Sequence, residues 1–316
     1  MHANTMAVSR RDRQSRRDRH DDPTRPGVNV GTAMSTTLSI LAGLLALGAL
    51  AMTPSVQKQL LYFPNEPSRA LRATPADAGL AYEEARIATS DGETLHAWYI
   101  PADTARGVVL MFHGNAGNIG DRVGFARLFH DLGLDTLLVD YRGYGQSTGT
   151  PSEAGTYRDA EAAWRYLVET RQLPPARILL HGRSLGGAVA AYLATTVSAA
   201  GLVLDSTFTS VPDIAEALYP WLPTQWFVRI RYPTLERLHT LETPVLVLHA
   251  RGDEIVPYAH GQRLAEAAGA TLVTLDGSHN TSSEDSVAIY REAMQTFADR
   301  VLPASAMQPA AQARRR

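Results

Sequence analysis

The chain contains no cysteine. Disulfides, a thiolate nucleophile and any metal site built on thiolates are therefore excluded. Lysine is nearly absent as well: Lys58 is the one lysine among 30 basic residues. No glycine-rich loop ends in Gly-Lys, so no phosphate cradle of that kind is expected, and there is no His-Glu-x-x-His pair to hold zinc. Basic residues do not interleave with aromatics through the bulk of the chain, which argues against a nucleic-acid partner. No metal and no cofactor are expected. What remains is an ordinary globular composition, 45% hydrophobic and 20% charged with a net charge of −2. Its 316 residues are enough for one large α/β core.

The amino terminus departs from that pattern. Residues 1–33 carry seven arginines and four aspartates among scattered Ser, Pro and Gly, and read as a disordered tail. From Met34 to Met52 there are nineteen residues without a charge, near the roughly 20 needed to cross a bilayer. With no polar face, residues 34–53 read as a transmembrane anchor. The alternative is a cleaved signal segment, since Ala49-Leu50-Ala51 resembles a small-residue cleavage site. Leu60-Leu61-Tyr62-Phe63 prolongs the apolar character and favours the anchor. The arginines then place the amino terminus in the cytoplasm and residues 54–302 outside it, in the periplasm if the source is bacterial. The secreted form is the alternative location. Residues 303–316 read as a second disordered tail.

Chemistry concentrates at Gly182-Arg183-Ser184-Leu185-Gly186. A buried apolar strand, Ile178-Leu179-Leu180, leads into it, and an alanine-rich helix starting near Gly187 leads out. A serine on so sharp a turn is pushed out of the backbone towards substrate, and the flanking glycines remove the Cβ atoms that would clash. Gly145-Gln146-Ser147-Thr148-Gly149 matches the same five-residue pattern. There the strand ends five residues earlier and Pro151 follows, so Ser147 reads as a loop residue.

A serine hydroxyl needs an imidazole to take its proton, and the imidazole needs a carboxylate to hold its tautomer. Asp253 follows the β run 244–248, and His279 follows the β run 270–275. In a parallel sheet such strand-end loops gather at one edge. Asp205, which closes the run 200–204, ranks second as the carboxylate; Glu254 is weaker. His260 falls on a helix and reads as a packing residue. The loop Phe112-His113-Gly114-Asn115-Ala116 can give an oxyanion one N–H, from Asn115 or else Ala116, and Leu185 gives the other. His113 reads as a loop brace. Asn118 and Asp121 have the spacing of a helix-capping pair.

The hydrophobic pattern predicts an eight-stranded, mostly parallel sheet flanked by helices, with two antiparallel opening strands at 82–89 and 93–100. Six further strands are expected at 107–112, 135–139, 176–180, 200–204, 244–248 and 270–275. Helices are expected at about 119–132, 152–171, 184–196, 258–268 and 282–300. Residues 207–241 break the repeat and read as a small lid-like insertion after the sixth strand. Its Tyr219, Trp221, Leu222, Trp226 and Phe227 are candidates to line an acyl pocket; packing among themselves is the alternative.

Strand-His113-Gly114-Asn115, Gly182–Gly187, Gly252-Asp253 and Gly277-Ser278-His279 together resemble the α/β-hydrolase superfamily. Leu60–Pro64, His113–Asn118, Asp140–Gly145 and Tyr219–Pro223 narrow the likeness to a membrane-anchored serine-hydrolase clade, esterase- or serine aminopeptidase-like. The resemblance covers roughly residues 55–300. It implies the α/β-hydrolase fold and hydrolysis of a small acyl substrate, an ester or thioester, through an acyl-enzyme; an aminopeptidase-like amide hydrolase is the alternative. A membrane-anchored binding module without catalysis is a third possibility. Relatives that open epoxides or remove halogens carry aspartate at the turn, and serine at 184 argues against that chemistry.

Overall fold

The computed structural model describes residues 53–221 and 223–302. The tail 1–33, the apolar run 34–52, Leu222 and the tail 303–316 lie outside them. Eight strands form one sheet in the order β1-β2-β4-β3-β5-β6-β7-β8. The strands are β1 Glu83–Ala88, β2 Thr94–Ile100, β3 Gly107–Phe112, β4 Leu134–Val139, β5 Ile178–Arg183, β6 Gly201–Asp205, β7 Val245–Ala250 and β8 Thr271–Leu275. β1 pairs with β2, and β2 with β4, antiparallel; every later pair is parallel.

The central strands are buried along their whole length and largely apolar because both faces are covered. Their period of two splits the core into two layers. Val108, Leu110 and Phe112 of β3 join one layer with Leu202 and Leu204 of β6. Val109 and Met111 join the other with Val203. Each apolar side chain buried this way contributes roughly 1.5–3 kcal/mol of transfer free energy. The first layer is closed by α3 (Glu153–Arg165), α4 (Leu185–Ala194) and α8 (Tyr258–Ala267). The second is closed by α2 (Val123–Asp131) and α10 (Val287–Val301), through Phe129, Tyr290, Met294 and Phe297.

Three of the boundaries that differ from expectation have a visible cause. β5 runs on to Arg183, since Gly182 pairs with both Phe112 and Leu204, and Arg183 with Asp205; backbone pairing continues the strand after its apolar residues stop. The helix expected from 119 opens as a 3₁₀ turn, Ile119–Arg122, capped reciprocally by Asn118 and Asp121. The carboxyl-terminal helix is broken at Ser286, leaving the short α9 (Ser282–Asp285) in front of α10. There Ser286 Oγ accepts the Asp276 N–H at 2.7 Å.

The insertion between β6 and β7 holds α5 (Val211–Leu218), α6 (Thr224–Phe227) and α7 (Thr234–Leu238). Thr224 Oγ1 donates to the Pro212 carbonyl at 3.0 Å and ties α6 to α5. Ahead of the sheet lies α1 (Pro54–Leu61), started by Pro54 at its first position. Phe63 then bridges to Ala116. Among the described residues no helix is long and apolar enough to cross a membrane.

Candidate active site

β5 ends at Arg183 and α4 begins at Leu185, so Ser184 alone makes the turn. Its backbone sits at φ 51°, ψ −117°, a strained region for a residue with a Cβ, costing on the order of 1–3 kcal/mol. The strain is held in place: Ser184 N–H donates to the Asp205 carbonyl at 2.8 Å, and Gly187 N–H to the Ser184 carbonyl at 3.0 Å. The glycines on either side have a steric reason. A Cβ on Gly182 would lie 2.2 Å from the Gly186 carbonyl oxygen, and one on Gly186 would lie 2.1 Å from that of Phe112.

The loops after β5, β7 and β8 meet at this turn. Ser184 Oγ lies 3.2 Å from His279 Nε2, and His279 Nδ1 lies 2.8 Å from Asp253 Oδ2. The other carboxylate oxygen of Asp253 accepts the N–H groups of Ile255 at 3.0 Å and Val256 at 2.7 Å, which fixes the carboxylate plane. Glu254 acts on the same histidine from the other side, accepting the His279 backbone N–H at 3.0 Å. Nothing in the sequence marks that contact, because it depends on the β7 and β8 loops lying side by side.

Asp205 is elsewhere. It is fully buried and is bound by Arg183 Nη1 at 3.0 Å, Tyr290 Oη at 3.0 Å and Ser206 Oγ at 3.0 Å. Burial pushes its acidity down, but the Arg183 charge and these donors outweigh it and leave the pKa below the usual value. Asp205 therefore serves Arg183, whose other terminal nitrogen donates to the His279 carbonyl. His181, one layer beneath, is held neutral by burial, its pKa lowered to about 4.

Asn115 is immobilised by three bonds. Its amide donates to the Leu61 carbonyl at 3.0 Å, and its own carbonyl accepts from Phe63 N–H at 2.9 Å and Tyr144 Oη at 2.8 Å. The next peptide is braced by Arg122, which donates to the Ala116 carbonyl at 2.7 Å. Leu185 opens α4, whose first N–H groups have no partner within the helix and sum with its dipole. Ser147 of the second motif is a buried brace, donating to the Asp140 carbonyl and accepting from His96 N–H, both at 2.8 Å. His113 Nδ1 sits 2.7 Å from the Gly114 carbonyl, and His260 packs on α8 beside Thr209.

Ser184, His279, Asn115 and Leu185 border one cavity of 580 Å³. Leu61, Phe63, Phe125, Phe208, Ile214 and Ile255 give it apolar walls; Asp121, Arg122, Arg183 and Glu284 add charge. A 600 Å³ recess beside Pro244 and Gly269 is of similar size but holds no nucleophile and base. Of the insertion's aromatics Phe208 lines the Ser184 cavity, but Tyr219, Trp221, Trp226 and Phe227 do not, which corrects the expectation for those four; Leu222 is outside the described residues. The reason is the direction of α5. Ile214 faces the cavity while the chain beyond it runs outward, leaving Trp221 79% and Trp226 83% exposed. Leu61 and Phe63 take the lining role instead. Their apolar run is visible in the sequence, but not its return to the 112–118 loop.

Among the described residues no group of histidines and carboxylates is placed to hold a metal ion. Residues 107–233 match the family described as alpha/beta hydrolase fold, and residues 221–305 match one described as TAP-like protein. An Arabidopsis thaliana relative, alpha/beta hydrolase domain-containing protein WAV2, is 36% identical over 252 residues, covering 72% of this chain and 80% of the relative. A Saccharomyces cerevisiae relative described as uncharacterized membrane protein YNL320W is 33% identical over 257 residues, covering 76% of this chain and 89% of the relative. The structure of Pyrococcus furiosus esterase Pf2001 superposes with a TM-score of 0.64 at 19% identity, covering 73% of this chain and 96% of that one. Sheet order, strand-to-helix turn and kinship agree, and the chain belongs to the α/β-hydrolase family.

Proposed function

We propose that the protein is a serine hydrolase of carboxylic esters or thioesters that works through an acyl-enzyme. The observation that carries this reading is the unbroken chain from Ser184 Oγ to His279 Nε2 and from His279 Nδ1 to Asp253 Oδ2. Ser184 Oγ attacks the carbonyl carbon while His279 Nε2 takes its proton. The N–H groups of Asn115 and Leu185 hold the oxyanion, a contribution of roughly 3 kcal/mol per donor. The bond to the leaving oxygen or sulfur breaks, and His279 returns the proton to that atom. Water then attacks the acyl-serine, loses a proton to His279, and the proton goes back to Ser184. The likeness in fold to the Pyrococcus furiosus esterase and the apolar cavity walls support an acyl substrate.

Asp121 and Glu284 in the cavity wall favour a second reading, an aminopeptidase-like amide hydrolase whose substrate amine they would hold. Glu216 and Glu236 of the insertion do not border the cavity. A panel of acyl nitrophenyl esters, acyl thioesters and aminoacyl anilides separates the two. The ester or thioester is expected to exceed the anilide in kcat/KM by at least ~100-fold, about 2.7 kcal/mol of differential transition-state binding. The reverse order would establish the second reading.

The same proposal includes residues 34–52 as an uncleaved anchor, the domain lying on the non-cytoplasmic side. The uncharged run and the membrane description of the yeast relative support it. Mass spectrometry of the mature protein is expected to find residues 34–52 retained. A terminus starting just after Ala51 would instead mean a cleaved signal and a secreted enzyme.

A further inference from the structure

Among the described residues, five of the nine large apolar side chains left exposed lie on α1 and the insertion. Leu60 on α1 is 69% exposed, and Trp221 and Trp226 of the insertion stand almost wholly in solvent beside exposed Leu218 and Tyr219. Two indoles and three further apolar side chains left open on neighbouring segments mark a contact surface rather than scattered exposure. The two elements are clasped by one side chain. Gln57 donates to the Phe227 carbonyl at 2.9 Å and accepts the Arg229 N–H at 2.8 Å. Leu60 follows Gln57 by three residues, so it stands on the same side of α1.

The two segments also reach the Ser184 cavity. Leu61 succeeds Leu60 and lines the cavity; Ile214 lines it from α5, one turn before Leu218. The occupant is indicated by the chain itself. The nineteen uncharged residues 34–52 run directly into Thr53, the residue before α1. An eight-residue helix is about 12 Å long, so Leu60 cannot lie farther than roughly that from where the run ends. Tryptophan and tyrosine are the side chains that settle at the bilayer interface, with an apolar ring face and a polar N–H or O–H.

We propose that α1 and the 218–227 segment rest on a lipid bilayer, with Trp221 and Trp226 in its interfacial layer, and that the Ser184 cavity draws its acyl group from the membrane. The substrate class is a membrane-borne acyl ester or thioester. That last step rests on the hydrolase reading above; the contact does not.

The test uses the full chain in phosphatidylcholine vesicles with and without bromine on the upper acyl carbons. Of the four tryptophans, Trp98 and Trp164 are buried, so quenching reports on Trp221 and Trp226. Wild-type emission is expected to fall by roughly a quarter or more with brominated lipid, and the loss to vanish in Trp221→Ser/Trp226→Ser. The double variant is expected to keep turnover of water-soluble nitrophenyl acetate within ~2-fold while losing ~10-fold on a vesicle-borne acyl thioester. Quenching as expected without turnover of either substrate would support the contact and refute only the hydrolase reading. Emission indifferent to bromine would overturn the contact, and an equal loss on both substrates would overturn delivery from the membrane. If the patch joins two copies instead, the double variant becomes monomeric in detergent with no bromine effect, which overturns the proposal as well.

Discussion

Replacing Ser184 by glycine is expected to abolish turnover and still give a protein that melts higher than the alanine variant. Both substitutions remove the hydroxyl that faces His279 Nε2 at 3.2 Å, so both lose the nucleophile. Since the oxyanion donors and the binding surface remain, the residual rate should be that of positioning alone, a drop of roughly 10⁴–10⁶ in kcat. Both should also lose labelling by a fluorophosphonate probe. They differ in what they leave at φ 51°, ψ −117°. Alanine keeps the Cβ and therefore the strain of about 1–3 kcal/mol. Glycine releases it and returns only about 0.5–1 kcal/mol through the greater freedom of the unfolded chain. The net advantage of glycine is on the order of 1 kcal/mol, or about 2–4 °C in Tm for a domain of this size. Calorimetry of the two variants side by side checks it. A glycine variant melting below the alanine one would mean that the turn is not strained, and retained labelling in either would remove Ser184 from the mechanism.

How far the chain can be read without coordinates depends on whether a feature is local. The strands β3 to β7 are buried on both faces, so each carries a stretch of apolar residues that needs no partner to be seen. The turn at Ser184 is local too: strand, glycine, serine, glycine and helix are contiguous, whereas at Ser147 they are not. Asp253 and His279 were reachable by one rule, that parallel strands bring their carboxyl-terminal loops to one edge. What escaped depends on register and on return of the chain. Asp205 stays in second place as the carboxylate until Arg183 is seen opposite it across the β5–β6 ladder. Leu61 and Phe63 reach the cavity through a bridge to Ala116, over fifty residues on. The aromatic insertion carries the composition of an acyl pocket, but composition does not tell which side of α5 faces inward.

The second large effect is expected at a residue with no part in the chemistry. Arg183→Met should destabilise the domain by roughly 3–5 kcal/mol, the cost of leaving one partner of a buried ion pair without the other. Arg183 is 6% exposed and Asp205 is fully buried, so water cannot replace the missing guanidinium. Tyr290 and Ser206 would still donate to the carboxylate, but neither brings a charge. At 2–4 °C per kcal/mol the melting temperature should drop by about 10 °C. The pH dependence identifies the cause. In the wild type the Asp205 pKa is lowered, so its stabilisation is fully present above the unfolded carboxylate range and fades as pH falls. Without Arg183 the folded carboxyl gains protons more readily than the unfolded one. The gap between variant and wild type should therefore be widest near neutrality and narrow as pH falls towards 4. Asp205→Asn added to Arg183→Met should recover part of the loss, because no buried charge remains to be compensated. Activity tells the two duties of the arginine apart, since its other nitrogen donates to the His279 carbonyl. The double variant should regain stability without regaining kcat, as the histidine loop still lacks its anchor. A single variant that melts within about 1 kcal/mol of wild type at every pH would show that the pair contributes no more than an exposed one.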